Sequence, residues 1–94
     1  MRTEYDSQAD ALSIDVLDVE RWEGSEPVDD DFCNVALAGG RAANVELLSP
    51  RDHLDLLALA ADAHGLDTEA LLAAAQSALA APDRTVVLEV HAPA

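Results

Sequence analysis

The sequence predicts an α+β fold: a small antiparallel β-meander over residues 2–48, a two-helix hairpin packed on one face over 49–81, and a short C-terminal strand over 85–90. Three observations carry this reading. Apolar and polar residues alternate with the two-residue period of a strand through residues 11–17, 32–38 and 43–48. At Ser49 the period lengthens to that of a helix. Alternation resumes at Thr85, with Val86, Leu88 and Val90 set against Val87 and Glu89. Ninety-four residues suffice for one domain, 1–94, and no more.

Residues 2–5 read as a first strand, and Asp6-Ser7-Gln8 supplies turn chemistry through short polar side chains. In the second strand Leu12, Ile14 and Val16 point one way and Ser13 and Asp15 the other, which suits a sheet with one wet face. Residues 18–31 break the pattern and read as an exposed acidic connection, with a ragged hairpin around Gly24. Trp22 in that connection is either a lid over a sheet edge or an anchor for a partner. Cys33, Val35 and Leu37 share a strand face, Gly39-Gly40 makes a tight turn, and Val45 and Leu47 return inward.

Ser49-Pro50-Arg51-Asp52 reads as a helix start, with Ser49 as N-cap and Pro50 at the first helical position. That helix should run to His64 and end at Gly65. It carries two leucine stripes, Leu54/Leu57/Ala61 and Leu56/Leu59/Ala63, on nearly opposite sides, so packing on both sides is expected. Asp67 caps a second helix, Leu66 and Leu71 form a hydrophobic staple, Leu72, Ala75 and Leu79 make the inner stripe, and Pro82 stops it.

The formal charge is −14, from 19 acids against 5 bases, and every base is an arginine. Twelve of the acids precede Ser49. Such a field repels phosphate and anionic lipid and attracts basic partners. A solubility surface is the plainer alternative. With only three aromatic residues the core must be built from Leu, Val and Ala. Cys33 is the one cysteine, so an internal disulfide is impossible and a reducing cytoplasm is the expected setting. No apolar run follows the N-terminus and none approaches bilayer length, so neither a signal peptide nor a membrane association is expected.

Tyr5-Asp6, Ala9-Asp10-Ala11-Leu12 and Ile14, then Val28-Asp29-Asp30 and Val45-Glu46-Leu47-Leu48, together resemble a small bacterial family catalogued as domain of unknown function 2283. The resemblance spans residues 3–48. It departs from the family at Ser13, at Val35 and Leu37 before the central turn, and at Asn44. It implies a fold more than an activity. Some members sit beside candidate toxin partners, which implies an antitoxin-like arrangement. Residues 44–81 are also similar in outline to a ribbon-helix-helix DNA-binding unit. However, Asn44, Glu46 and Leu48 would face the groove with only Arg41 and Arg51 nearby, and the charge argues against nucleic acid.

Asp29, Asp30 and Asp31 could bind a hard cation, but no closing loop with a distal Glu follows, and they read as a solvated turn. His53 and His64 are about 16 Å apart along one helix, too far to share a metal. Acidic neighbours would raise the Cys33 thiol pKa. Tyr5, Asp6 and Asp10 could line a polar site at the first turn, or an aspartate could simply fasten its own turn. No catalytic motif, metal or cofactor is therefore expected. The leading functional expectation is an acidic, non-catalytic interaction domain that partners a basic protein. Trp22, Asp29, Asp30, Asp31, Leu56 and Leu59 are its candidate contact residues. The alternatives are a ribbon-helix-helix-like regulator, or a ligand-binding or enzymatic protein with a site near the first turn. The two leucine stripes further predict a homodimer with the first helix at the interface.

Overall fold

The computed structural model describes residues 1–89; Val90, expected in the closing strand, and the tail after it lie outside the described residues. The elements are β1 (Arg2–Asp6), β2 (Ala11–Asp15), β3 (Gly24–Asp29), β4 (Cys33–Ala38), β5 (Arg41–Leu48), a 3-10 turn (Pro50–Asp52), α1 (Asp55–His64), α2 (Thr68–Ala80) and β6 (Thr85–Val87). All strands join one six-stranded antiparallel sheet in the order β3-β4-β5-β2-β1-β6. The α+β class, the helical hairpin and the closing strand are those expected.

Connectivity inside the sheet departs from a simple meander. β3, β4 and β5 follow one another, but β2 pairs with β5 rather than β3, which gives a Greek-key path. Residues 16–23 make the crossover. They must pass three inter-strand steps of about 4.8 Å each, well within the reach of eight extended residues. The amides of Val16 and Leu17 both donate to the Ala43 carbonyl at the start of this path, and the Glu23 amide donates to the Leu37 carbonyl at its end.

β3 is a strand where an exposed connection was expected. Gly24, Glu26 and Pro27 are poor strand residues, yet on an edge Pro27 has no ladder bond to forfeit. The reversal into β4 lies at Asp29–Phe32, not at Gly24. Asp29 Oδ1 accepts the Asp31 and Phe32 amides, each at 2.9 Å. Gly39 and Gly40, at φ 59° and 76°, supply the two positive dihedrals of the expected tight turn between β4 and β5.

The core face of the sheet follows from the register. Tyr5, Leu12, Leu47 and Cys33 lie in one cross-strand row and Thr3, Ile14, Val45 and Val35 in the next, and all eight are buried. Both helices cover this face, α1 over β3, β4 and β5, and α2 over β1, β2 and β6. α1 begins later than expected. Ser49 adopts a left-handed backbone (φ 47°) and makes no side-chain cap, so Pro50–Asp52 form only a 3-10 turn and Leu54 stands at the cap of α1. Asp67 does cap α2, accepting the Glu69 and Ala70 amides at 3.0 and 3.3 Å.

The helix faces also differ from the expected stripes. In α1 the buried arc is Leu56, Leu57, Ala60 and Ala61, while Leu59 is 54% exposed. At 100° per residue Leu59 lies roughly 130° from the middle of that arc, beyond reach of the sheet. In α2 the buried residues are Leu71, Ala74, Ala75 and Ala78, and Leu72 and Leu79 sit half-buried at the flank. Alanine at the contact lets the helix backbone lie close to β1 and β2; leucines there would hold it off.

Two predictions test this packing. Gly65 ends α1 at φ 66° with open space where a side chain would stand, so only the backbone opposes substitution. Gly65→Val should cost about 1–2 kcal/mol, whereas Gly24→Ala should stay within about 0.5 kcal/mol; equal shifts in melting temperature would misplace the helix end. Thr3 Oγ1, on a residue 1% exposed, has no hydrogen-bond partner among the described residues. Thr3→Val should therefore stabilise by about 1 kcal/mol, read from urea unfolding.

Candidate functional site

The first turn gathers much of the polar structure. Asp6 Oδ1 accepts the Gln8 and Ala9 amides at 3.0 and 3.2 Å, so Asp6 fastens its own turn as one of the two expected readings has it. The Tyr5 hydroxyl donates to Asp10 Oδ1 at 2.6 Å, and Arg51 Nη1 donates to the same hydroxyl at 3.3 Å with its guanidinium carbon 5.2 Å from the ring centre. All three non-glycine residues with positive φ, Asp10, Ser49 and Asp83, meet here. The Ser49 amide donates to the Asp10 carbonyl, and the Asp83 amide to the Tyr5 carbonyl. Asp83 in turn accepts the Ser7 amide and hydroxyl at 2.8 and 2.6 Å, and these bonds hold its carboxyl below the usual range.

This cluster behaves as a clasp. The bond to Asp10 raises the Tyr5 pKa, helped by burial and the Asp10 charge, so the phenol keeps its proton and is no nucleophile. Neither described histidine is hydrogen-bonded to Tyr5 or Asp10. His53 stacks on Phe32 at 3.9 Å and its Nδ1 lies 3.0 Å from the Ser49 carbonyl. His64 Nε2 lies 3.8 Å from Glu26 Oε2 on the edge strand. Cys33 is buried, and burial with the nearby Asp29 charge pushes its thiol up to about 11.

Among the described residues no helix covers the other face of the sheet, although Ala36 and Asn44 are buried in it. Register places Thr85, Glu4, Ser13, Glu46, Asn34 and Pro27 in one row across it. Val87, Arg2, Asp15, Asn44, Ala36 and Ser25 form the next, and Asp6, Ala11 and Leu48 a third. Asn44 sits low in this surface, 3% exposed, where its Nδ2 donates to Ser13 Oγ and Asp15 Oδ1, both at 2.8 Å. That network locks β5 to β2 and fixes the carboxylate of Asp15. Glu4, Asp6 and Glu46 stand exposed around it, with Arg2 and, opposite Ala38, Arg41 as exposed cations on the same side. At one end Glu46, Asn34 and Leu48 share a shallow concavity with Asp29, Asp30 and Asp31, so the acidic hairpin tip extends the bare face.

The sequence-derived contact residues therefore separate. Asp30 and Asp31 are exposed beside the bare face, while Asp29 is spent on its turn. Trp22 is 53% exposed in the crossover. Leu56 is in the core, and Leu59 stands exposed on the helical layer, so within one chain the two residues lie on different sides of α1. Asn44, Glu46 and Leu48 do share one face, as their alternation implies, but β5 is bonded on both edges and cannot serve as the free ribbon of a ribbon-helix-helix unit. Asp15 lies on the wet side that its alternation with Ile14 implies, whereas nothing local to β1 singles out Glu4 or says which strands it will join. Among the described residues, no three His, Cys, Asp or Glu side chains are placed to hold a metal ion. Nor is any described helix long and apolar enough to cross a membrane. Comparison with protein-family models, curated proteins and solved structures finds no match for the chain.

The raised thiol and phenol predict an alkaline loss of stability. A group whose pKa is higher folded than unfolded contributes fully below its unfolded value and loses that contribution as pH rises. For Cys33 the window runs from 9.0 to about 11, and Tyr5 adds to it from 10.0 upward. Denaturation midpoints should fall across that window, and Cys33→Ala should flatten the slope between pH 9 and 10. An unchanged slope would place the titrating group elsewhere.

Proposed function

We propose that this chain is a non-catalytic, acidic interaction domain that receives a basic protein on its bare sheet face. The observation that supports this best is the composition of that face: Glu4, Asp6, Asp15 and Glu46 against Arg2 and Arg41, continuous with Asp30 and Asp31. A fixed sheet with small polar residues between its carboxylates suits a cationic surface, because little side-chain order is lost on binding. The antitoxin-like arrangement implied by the resemblance of residues 3–48 to domain of unknown function 2283 belongs to the same proposal. So does a cytoplasmic setting, which the buried, unpaired Cys33 thiol favours.

The test is affinity purification from the native host with the wild-type chain and with Glu46→Lys/Asp31→Lys, two exposed positions at one end of the face. The wild type should retain a protein of basic composition at about 0.05 M salt and release it at about 0.5 M. The double variant, folded by circular dichroism, should bind it on the order of tenfold more weakly. Retention indifferent to the charge reversal, or a competitor-resistant complex with duplex DNA from the chain's own promoter, would overturn the proposal.

A further inference from the structure

We propose that the outer edge of β6 is a self-association edge, where a second copy of this chain pairs antiparallel and joins two six-stranded sheets into one of twelve strands. Among the described residues the sheet has two free edges, β3 and β6, and they differ. β3 carries Glu26 and Pro27, shifts register between Pro27 and Asp29, and is flanked by Glu23, Asp30 and Asp31. Charge, proline and bulge are the devices that blunt an edge against pairing. β6 reads Thr85-Val86-Val87, has none of them, and leaves Val87 69% exposed.

The ladder shows which groups are on offer. Met1 and Leu88 exchange both backbone bonds, the Met1 amine donating to the Leu88 carbonyl and the Leu88 amide to the Met1 carbonyl, each at 2.8 Å. In an antiparallel pair such residues alternate with residues whose N–H and C=O point away. Val86 faces Thr3 in the bonded register, so Thr85 and Val87 direct their backbone groups outward. A partner strand running antiparallel would meet that spacing with its own Thr85 and Val87, in the register that sets Val86 opposite Val86.

Symmetry then fixes the assembly. Side chains that face each other across a ladder lie on the same side of the sheet, so the two-fold axis must stand perpendicular to it. Both helical layers fall on one side and both bare faces on the other, which doubles the acidic surface without burying it. Charge at this edge is mixed: Arg84 precedes β6 and Arg2 faces Val87 from β1, while Asp83 and Glu89 flank the strand and Glu4 faces Thr85. A three-residue strand buries little area, so the association is weak and reversible. It does not depend on the basic partner proposed above.

Light scattering after size exclusion, at chain concentrations from about 0.01 to about 1 mM, tests it on the full chain. The wild-type mass should rise from 9.9 kDa toward twice that value, less so at low ionic strength. Val87→Pro removes an outward donor that β1 does not use, and should remain monomeric at every concentration. If that variant fails to fold, Val87→Lys serves in its place with the same expected result. Leu59→Asp should dimerise like the wild type. Hydrogen exchange adds a readout specific to the edge: the Thr85 and Val87 amides should gain protection as concentration rises. A wild-type monomer throughout would overturn the proposal and leave the edge to an extended segment of another protein. A dimer lost in Leu59→Asp and kept in Val87→Pro would overturn it in favour of the helical layer.

Discussion

The pairing of β2 with β5 is what the rest of the molecule depends on. Leu12 faces Leu47 and Ile14 faces Val45 across that seam, all four with no exposed surface. Each such side chain contributes about 1.5–3 kcal/mol by leaving water. Without the seam the sheet is two three-stranded pieces, β6-β1-β2 and β3-β4-β5, each with half of the apolar face. With it, one broad apolar face exists, and α1 and α2 divide it along the same line, one over each half. The Asn44 network closes the seam from the bare side, so it is sealed by apolar contact beneath and by hydrogen bonds above.

That division explains the alanine content. The helical layer must cover six strands with two helices of 10 and 13 residues. Small residues at the contact bring the backbones close, and the flanking leucines fill the angle between helix and sheet. Such a core has little surplus, and the clasp around the first turn works against that shortage. Three non-glycine residues in left-handed conformations each cost on the order of 1 kcal/mol or more. They persist because each is tied by backbone or carboxylate bonds to a neighbouring element. The turn, the start of the helical layer and the start of β6 are thereby fixed to one another at a single end of the sheet.

The same geometry separates structure from surface chemistry. Tyr5, Asp6, Asp10, Asp29, Asp67 and Asp83 look chemically active in the sequence, yet each is committed to a turn, a cap or the clasp. Around the bare face Glu4 accepts the neighbouring Thr85 hydroxyl at 3.2 Å, while the carboxylates of Glu46, Asp30 and Asp31 accept no hydrogen bond among the described residues. Their charge is directed outward from a rigid sheet, where it acts on association rather than on folding.

Much of this was legible in the residues themselves. Alternation identified β2, β4 and β5 and their inward sides, because a half-buried strand exposes every second residue to one solvent. Gly39-Gly40, Gly65 and Asp67 declared their turns and cap through backbone and hydrogen-bond chemistry that needs only near neighbours. The acidic tip at Asp29–Asp31 was likewise visible as a turn. What the tertiary structure decided involves partners distant in sequence. Residues 24–29 become a strand only because β4 offers them an edge that tolerates Pro27. Ser49 loses its capping role because the Asp10 carbonyl draws its amide into a left-handed turn. Leu56 goes inward and Leu59 outward because the sheet covers a single arc of α1, a choice that the spacing of leucines leaves open. The bare face is tertiary in the same sense: Glu4, Asp15 and Glu46 share it through strand order, and strand order is settled by which apolar faces meet, not by any local signal in the chain.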